Sequence, residues 1–215
     1  YIPIEEKEEM RGLAHGAELP LRMVHWLHTI PEVFEYERMD KFSRKYKGTS
    51  CSNVAAFGNA TRKKDFLQLR VLDWNRDLGV QKWPVILVHK PDVGNASVTF
   101  SYAGFIGCIS GMNDKQMAFG EMGYGNPPGE TLEGIPFIFL FRKLMRESNT
   151  IDDAVQMIQN AKRTGSYIYV ISDAKALQKK ALLIANNKEE VIVYKENKEM
   201  FDKQSKKTFP GLDDV

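Results

Sequence analysis

Cysteine is scarce in this 215-residue chain, which holds only Cys51 and Cys108 alongside four histidines. Two thiols cannot build a disulfide framework, and a Cys51–Cys108 bridge would sequester a sulfur whose neighbours suit it for chemistry. Cys108 is therefore expected to be a reduced core residue. An excess of one charge is also lacking. Thirty Lys and Arg stand against 28 Asp and Glu, for a formal charge of +2. The basic residues are interleaved with acids, as in KFSRKYK beside Asp40, so no nucleic-acid or anionic-membrane footprint emerges. Long apolar runs are missing too. PVILV and IPFIFLF fall far short of the roughly 20 residues that cross a bilayer, so no membrane-spanning segment is expected. Internal repeats, low-complexity tracts and a phosphate loop are absent, since Gly123-Tyr-Gly-Asn lacks the required Lys-Ser/Thr and reads as a turn.

What is present is a 43% hydrophobic composition, enough for one domain with a substantial core, or one domain plus a prosegment. The first fifty residues differ from the rest. Residues 5 to 14 and 20 to 30 predict helices, the second with Leu21, Val24, Leu27 and Ile30 on one stripe and Pro31 at its boundary. The charged segment EYERMDKFSRKYKGTS then leads to Cys51, so residues 1 to 50 read as a helical prosegment with an accessible junction. From Cys51 the period becomes that of strands: CSNVAAFG, DFLQLRVLDW, PVILVHK, SVTFSYAGF, GCISGMN and QMAFGEM. A helix of about four turns is predicted from near Leu132, with Phe137, Leu140, Phe141, Leu144 and Met145 at helical spacing. Thr150 is the expected cap of a second helix, with Asp153 completing a box and Ala154, Val155 and Ile158 inward. Strands return in SYIYVISDAK, KKALLIANN and EEVIVYKEN, the last two joined at Asn186-Asn187. Strands, two helices, then strands indicate an α+β layered sandwich of mainly antiparallel sheets. Trp26, Trp74 and Trp83 are expected in the core, while Trp83, Phe100 and Phe137 are available to an apolar acyl pocket.

A cysteine attacks as the thiolate, so its ordinary pKa of about 8.5 must be lowered or a base supplied. Of the histidines, His15, His25 and His28 fall in the prosegment, and His89 sits at a strand end with a turn or solvent role favoured. A Cys51/His89 hydrolase is the reading that follows if His89 does serve. The other available base is an α-amino group, with a pKa of about 7.7–8.0. Cys51 would gain one if the Ser50–Cys51 bond were hydrolysed, which its own thiol can begin by attacking the Ser50 carbonyl. Arg70 and Asp73 can return to the thiol on the next strand of a hairpin. Residues three apart on a strand point to opposite faces, so both converge only if the strand bends, bulges or ends between them. A plain ion pair at a strand end is the competing account of those two residues.

The string CSNVAAFGNATRKKDFLQLRVLDW resembles the start of the mature chain in N-terminal nucleophile hydrolases of the isopenicillin N acyltransferase group, relatives of choloylglycine (bile salt) hydrolases, penicillin V acylases and acid ceramidase-like amidases. The pattern is a leading Cys followed by Arg-x-x-Asp-Trp, here Cys51, Arg70, Asp73 and Trp74. GFIGCISGMNDKQMAFGE resembles the family's glycine-rich strand pair, and EGIPFIFLFRKLMRESNTIDDAVQMI its helical hairpin, so the resemblance covers roughly residues 48 to 195. It implies a four-layer αββα sandwich and autocatalytic cleavage between Ser50 and Cys51. The prosegment is then released or kept as the small subunit of a heterodimer. It further implies cleavage or transfer at a linear amide of a small N-acyl substrate, through an acyl-thioester and without metal or organic cofactor. In that scheme Cys51 is nucleophile and amine base, Arg70 positions the thiolate and Asp73 holds the amine. Glu121, Tyr124 and the Gly111–Asn113 turn are candidate oxyanion or substrate contacts. The family's downstream Thr-Asn motif has no counterpart before FPGLDDV, which implies either further sequence or a lost donor, and a binding module without chemistry is the alternative. Asn59-Ala-Thr and Asn95-Ala-Ser fit glycosylation acceptors and the Tyr1 start fits a removed leader or tag, which leaves export and a cytoplasmic location both open.

Overall fold

A computed structural model describes residues 1–36, 50–74, 76–123, 129–175, 179–195, 200–202 and 207–209. The junction expected at 37–49 and the turn at 124–126, with Tyr124, lie outside the described residues. The chain opens with helices α1 (Ile4–Gly16) and α2 (Leu21–Tyr36). It continues with β1 (Ser50–Ala56), β2 (Leu67–Asp73), β3 (Pro84–His89), β4 (Ser97–Tyr102), β5 (Ser110–Asn113) and β6 (Met117–Gly123). Helices α3 (Phe137–Glu147) and α4 (Ile151–Asn160) lead to β7 (Tyr167–Asp173), β8 (Lys180–Asn186), β9 (Val191–Lys195), β10 (Met200–Asp202) and β11 (Lys207–Phe209). Strands β3 to β9 form one seven-stranded antiparallel sheet in sequence order, and β1–β2 and β10–β11 are separate two-stranded pairs.

The α3–α4 hairpin is inserted between β6 and β7 and covers one face of the large sheet. Phe137 through Phe141 are all buried, an apolar surround that fits a helix packed on more than one side. One side meets the sheet through Phe119–Phe141 and Phe141–Tyr169 ring contacts at 6.1 and 4.7 Å. The other side meets α1, where Arg142 reaches Glu9 with Nη2 to Oε1 at 2.7 Å and Arg146 reaches Glu6 at 2.7 Å. Thr150 and Asp153 form the expected capping box of α4. Helix α3 is shorter than predicted, 11 residues beginning after Pro136. The residue before a proline is pushed out of helical geometry, and Ile135 instead bridges to Arg163. Helix α2 is longer than predicted and runs through Pro31 to Tyr36. Proline in a helix interior costs about 3 kcal/mol, and here the adjacent Glu32 is fixed by three buried donors: Phe137 N–H, Thr164 Oγ1 and Tyr167 Oη, at 2.5, 2.7 and 3.0 Å.

The β1–β2 hairpin covers the opposite face of the sheet. A Cβ placed on Gly120 of β6 would stand 2.1 Å from Asn53 Nδ2 and 3.1 Å from Gln68 Nε2, so the absence of a side chain there lets the two layers meet. Gln68 ties them, donating to Val170 O at 3.1 Å and accepting from Ser172 Oγ at 2.5 Å. Helices, large sheet and second sheet are thus three of the layers expected. Trp26 and Trp83 are not core residues, each being 69% exposed. Asn95 is buried and donates to Ser148 O at 2.8 Å, which removes it as a glycosylation acceptor, whereas Asn59 is exposed. No helix among the described residues is long and apolar enough to cross a membrane.

Gly120→Ala should lower the unfolding free energy by about 1–3 kcal/mol, the usual cost of overpacking. Gly12→Ala, with open space around it on α1, should be neutral or stabilising, and urea midpoints of the two variants check the contrast. Burial holds the imidazoles of His28 and His89 below their ordinary pKa, with Arg142 adding to the effect at both. Below about pH 6.5 the unfolded chain therefore binds protons that the folded chain refuses. Stability should be full above that value and fall as pH drops through it toward the depressed folded values, as denaturation midpoints across the range will record.

Candidate active site

Hairpin register places the thiol. Ser50 pairs with Asp73, Cys51 with Leu72 and Asn53 with Arg70, and burial alternates along β2 so that Gln68, Arg70 and Leu72 face inward. Arg70 Nη2 donates to Cys51 Sγ at 3.2 Å and to Glu121 Oε2 at 3.0 Å, and Nε donates to the Glu121 carbonyl at 3.1 Å. The two charged side chains are only 6% and 7% exposed. Glu121 lies where β5 leaves β6: their pairing ends at Ser110 and Gly120, after which Glu121 N–H reaches Ile109 O at 3.3 Å. The strand edge beyond is free of β5, and Arg70 enters the sheet there. Burial of the Cys51 thiol raises its pKa, the Arg70 charge opposes this, Glu121 reinforces it, and the backbone N–H groups of Asp73 and Gly123 favour the thiolate. The net shift is upward.

Asp73 does not join Arg70 by its side chain. Strand β2 stays regular through residue 73, where Asp73 pairs with Ser50 as an exposed strand-end residue that borders the cavity, and its backbone N–H favours the thiolate. Asn113 is also elsewhere. Its amide donates to Met145 O and Ser148 O, both at 3.0 Å, and its Oδ1 accepts from Lys115 N–H and Met117 N–H, both at 3.1 Å. It ties the β5–β6 turn to the end of α3. His89 sits beside Thr99 and Arg142, at 3.3 Å from each, so the structure does not bring it to Cys51. Cys108 is fully buried with its sulfur 4.0 Å from Met145 Sδ, and both cysteines are free.

The thiol opens onto a cavity of about 240 Å³. Its lining includes Cys51, Arg70, Asp73, Trp74, Tyr102, Glu121 and Gly123, together with Phe105, Phe137, Tyr167 and the α2 residues Leu27, Ile30 and Pro31. An adjoining cavity of about 500 Å³ shares Arg70, Leu72, Tyr102 and Ile109 with it and adds Phe100, Ser101 and Ser110. Trp83 lines neither. Burial, and the neighbouring Cys51, raise the Tyr102 pKa against Arg70, which keeps its hydroxyl protonated beside the sulfur. Sequence reasoning missed Tyr102 and the α2 contribution, because an alternating strand and an amphipathic helix do not disclose which end borders a cavity. Among the described residues, no group of three or more His, Cys, Asp or Glu could hold a metal ion.

With Ser50 and Cys51 joined as here, Cys51 should react with iodoacetamide more slowly near pH 8 than a free thiol, with a rate that keeps rising above about pH 9 as the thiolate forms. Arg70→Ala should slow alkylation further and Glu121→Gln should speed it. Arg70→Ala should also cost about 3–5 kcal/mol of stability by stranding the buried carboxylate.

Comparison with known proteins agrees with this architecture. The Caenorhabditis elegans N-acylethanolamine-hydrolyzing acid amidase ortholog superposes with a TM-score of 0.51 at 12% identity, covering 75% of this chain and 68% of that one. The fold is that of the N-terminal nucleophile hydrolases. Protein dcd1A of Dictyostelium discoideum is 31% identical over 175 residues, or 77% of this chain and 37% of that protein. Protein dcd1B of the same organism is 27% identical over 167 residues, or 76% of this chain and 31% of that protein. The chain therefore spans about a third of the length of these curated relatives. Residues 75–201 match the family described as acyl-coenzyme A:6-aminopenicillanic acid acyl-transferase. The match begins just after Trp74 and so does not include Cys51, Arg70 or Asp73. With more than half of its residues covered by that match, the chain belongs to the acyl-coenzyme A:6-aminopenicillanic acid acyl-transferase family.

Proposed function

We propose that the chain is a self-processing cysteine amidohydrolase or acyltransferase acting on a small N-acyl amide. The observation that carries this reading is the 3.2 Å contact between Arg70 Nη2 and Cys51 Sγ at the mouth of a mostly apolar cavity. In the first step the Cys51 thiol adds to the Ser50 carbonyl carbon. A thioester forms, the Ser50–Cys51 amide breaks, and the thiol proton passes to the departing nitrogen. Water then hydrolyses the thioester, leaving a Ser50 carboxylate, a free thiol and a Cys51 α-amine.

The new amine would supply a base to a thiol whose burial raises its pKa. Asp73 stands across the strand pair from Ser50, where opposed Cβ atoms lie about 4.5–5.5 Å apart. Removal of Ser50 would leave its carboxylate facing the new ammonium edge. The neutral amine takes the thiol proton, and the thiolate, steadied by Arg70, adds to the substrate carbonyl. The collapsing intermediate expels the substrate amine with that proton, and water or a second amine resolves the acyl-thioester to an acid or a new amide. Gly123 N–H, on the free edge of β6, and the Tyr102 hydroxyl are donors available for the oxyanion. The name of the C. elegans neighbour and that of the family both describe acyl-amide chemistry, which supports the reading. A His89-based hydrolase has no geometric support.

Intact-mass analysis of the purified wild-type chain should give two fragments divided between Ser50 and Cys51, and Cys51→Ala should remain whole. Loss of activity with Arg70→Ala should exceed about 100-fold in kcat/KM, the scale of one lost transition-state contact. A wild-type chain that stays whole and turns over no amide, yet binds one, would point to the noncatalytic binding module instead.

A further inference from the structure

Helix α2 belongs to the prosegment in sequence but to the cavity in space. Its Leu27, Ile30 and Pro31 line the cavity together with Phe105, Phe137 and Tyr167, and two buried polar side chains on the same helix grip both flanks. On one flank, His28 is fully buried, donates through Nδ1 to Val24 O at 2.7 Å and accepts Ile106 N–H on Nε2 at 2.9 Å. Its ring stacks on Phe105 with centroids 5.0 Å apart. On the other, Glu32 is 4% exposed and takes the N–H of Phe137 at the start of α3 together with the hydroxyls of Thr164 and Tyr167. Departure of α2 would strip a buried carboxylate's donors and leave a buried backbone N–H unpaired, both strongly disfavoured. The helix is fastened through groups that cutting the Ser50–Cys51 bond does not touch.

We propose that Leu27 and Ile30 of α2, fastened to the core through His28 and Glu32, select the acyl chain of the substrate. This rests on the thiol amidase reading above. Around them the cavity offers the hydrocarbon and aromatic faces of Pro31, Phe105 and Phe137, and the Tyr167 hydroxyl is already engaged by Glu32, so an unsubstituted alkyl chain is favoured over a polar acyl group. Leu27 and Ile30 line the cavity and are 37% and 38% exposed, so added bulk there should shorten the space without disturbing the buried anchors.

The test is the dependence of kcat/KM on chain length for saturated N-acyl 4-nitroanilides from acetyl to hexadecanoyl. Leu27→Trp and Ile30→Trp should move the optimum to shorter chains and change the long-to-short ratio by about tenfold or more. Leu27→Ala and Ile30→Ala, whose partly exposed sites tolerate truncation, should extend it. Trp26→Ala, on the exposed side of α2, should leave the profile in place. The two fragments should also co-elute under native conditions. An unchanged profile in the Leu27 and Ile30 variants, or full activity after the small fragment has separated, overturns the inference while leaving self-processing intact. If the wild type neither cleaves nor turns over an amide, the functional reading fails, and calorimetry on Cys51→Ala decides the inference separately. Octanamide binding tighter than acetamide, and weakened about tenfold by Ile30→Trp, upholds it. Equal binding, or none, overturns it.

Discussion

The buried pair of Arg70 and Glu121 is the constraint on which the site depends. A guanidinium and a carboxylate this far from water are costly to bury, and the cost is recovered only when both ends are hydrogen-bonded. Here the carboxylate and the backbone carbonyl of Glu121 both accept from Arg70, so the arginine has little freedom. The Nη2 that donates to the Glu121 carboxylate also donates to Cys51 Sγ. The pair also joins two layers, since Arg70 is on the β1–β2 hairpin and Glu121 on the large sheet. The opening that admits Arg70 exists because β5 is short and stops pairing at Ser110. One topological feature thereby fixes the thiol's cationic neighbour and frees the β6 edge that supplies Gly123 N–H.

The opposite boundary of the cavity depends on a different kind of contact. Helix α2 contains a proline that should end it, and persists because Glu32 and His28 are held from outside the helix. Both are anchored on elements far along the chain, at residues 106, 137, 164 and 167. The segment that reads as removable is therefore fastened to the core by buried polar groups. Raised thiol pKa and fastened helix belong together: the enclosure that makes the cavity apolar also suppresses ionisation of Cys51, which makes a base at the sulfur necessary for chemistry.

Much of the fold was legible because it rests on local pattern. Alternation identified β1 to β9, and Thr150 with Asp153 announced the start of α4. Where local pattern competed with tertiary contact, the reading failed: Pro31 did not end α2, and Pro136 delayed α3. Cys51, Arg70 and Glu121 were recognisable as residue types in a known arrangement. Asp73, by contrast, needed the strand to bend, bulge or end, and it stands at the last position of a regular β2, at the border of the cavity. Asn113 was misplaced because a Gly-x-Asn turn looks the same whether its amide faces a substrate or the end of a helix.

The sequence by itself determined the strand and helix periods, the scarcity of thiols and the one cysteine set before an Arg-x-x-Asp. These depend on side-chain type and spacing within a few residues. Only the tertiary structure decided which partner Arg70 would have, that Tyr102 would share the thiol's surroundings, and that α2 would wall the cavity. Those outcomes turn on where β5 ends and on which buried donors meet Glu32 and His28, contacts between residues dozens to more than a hundred positions apart that no local pattern encodes.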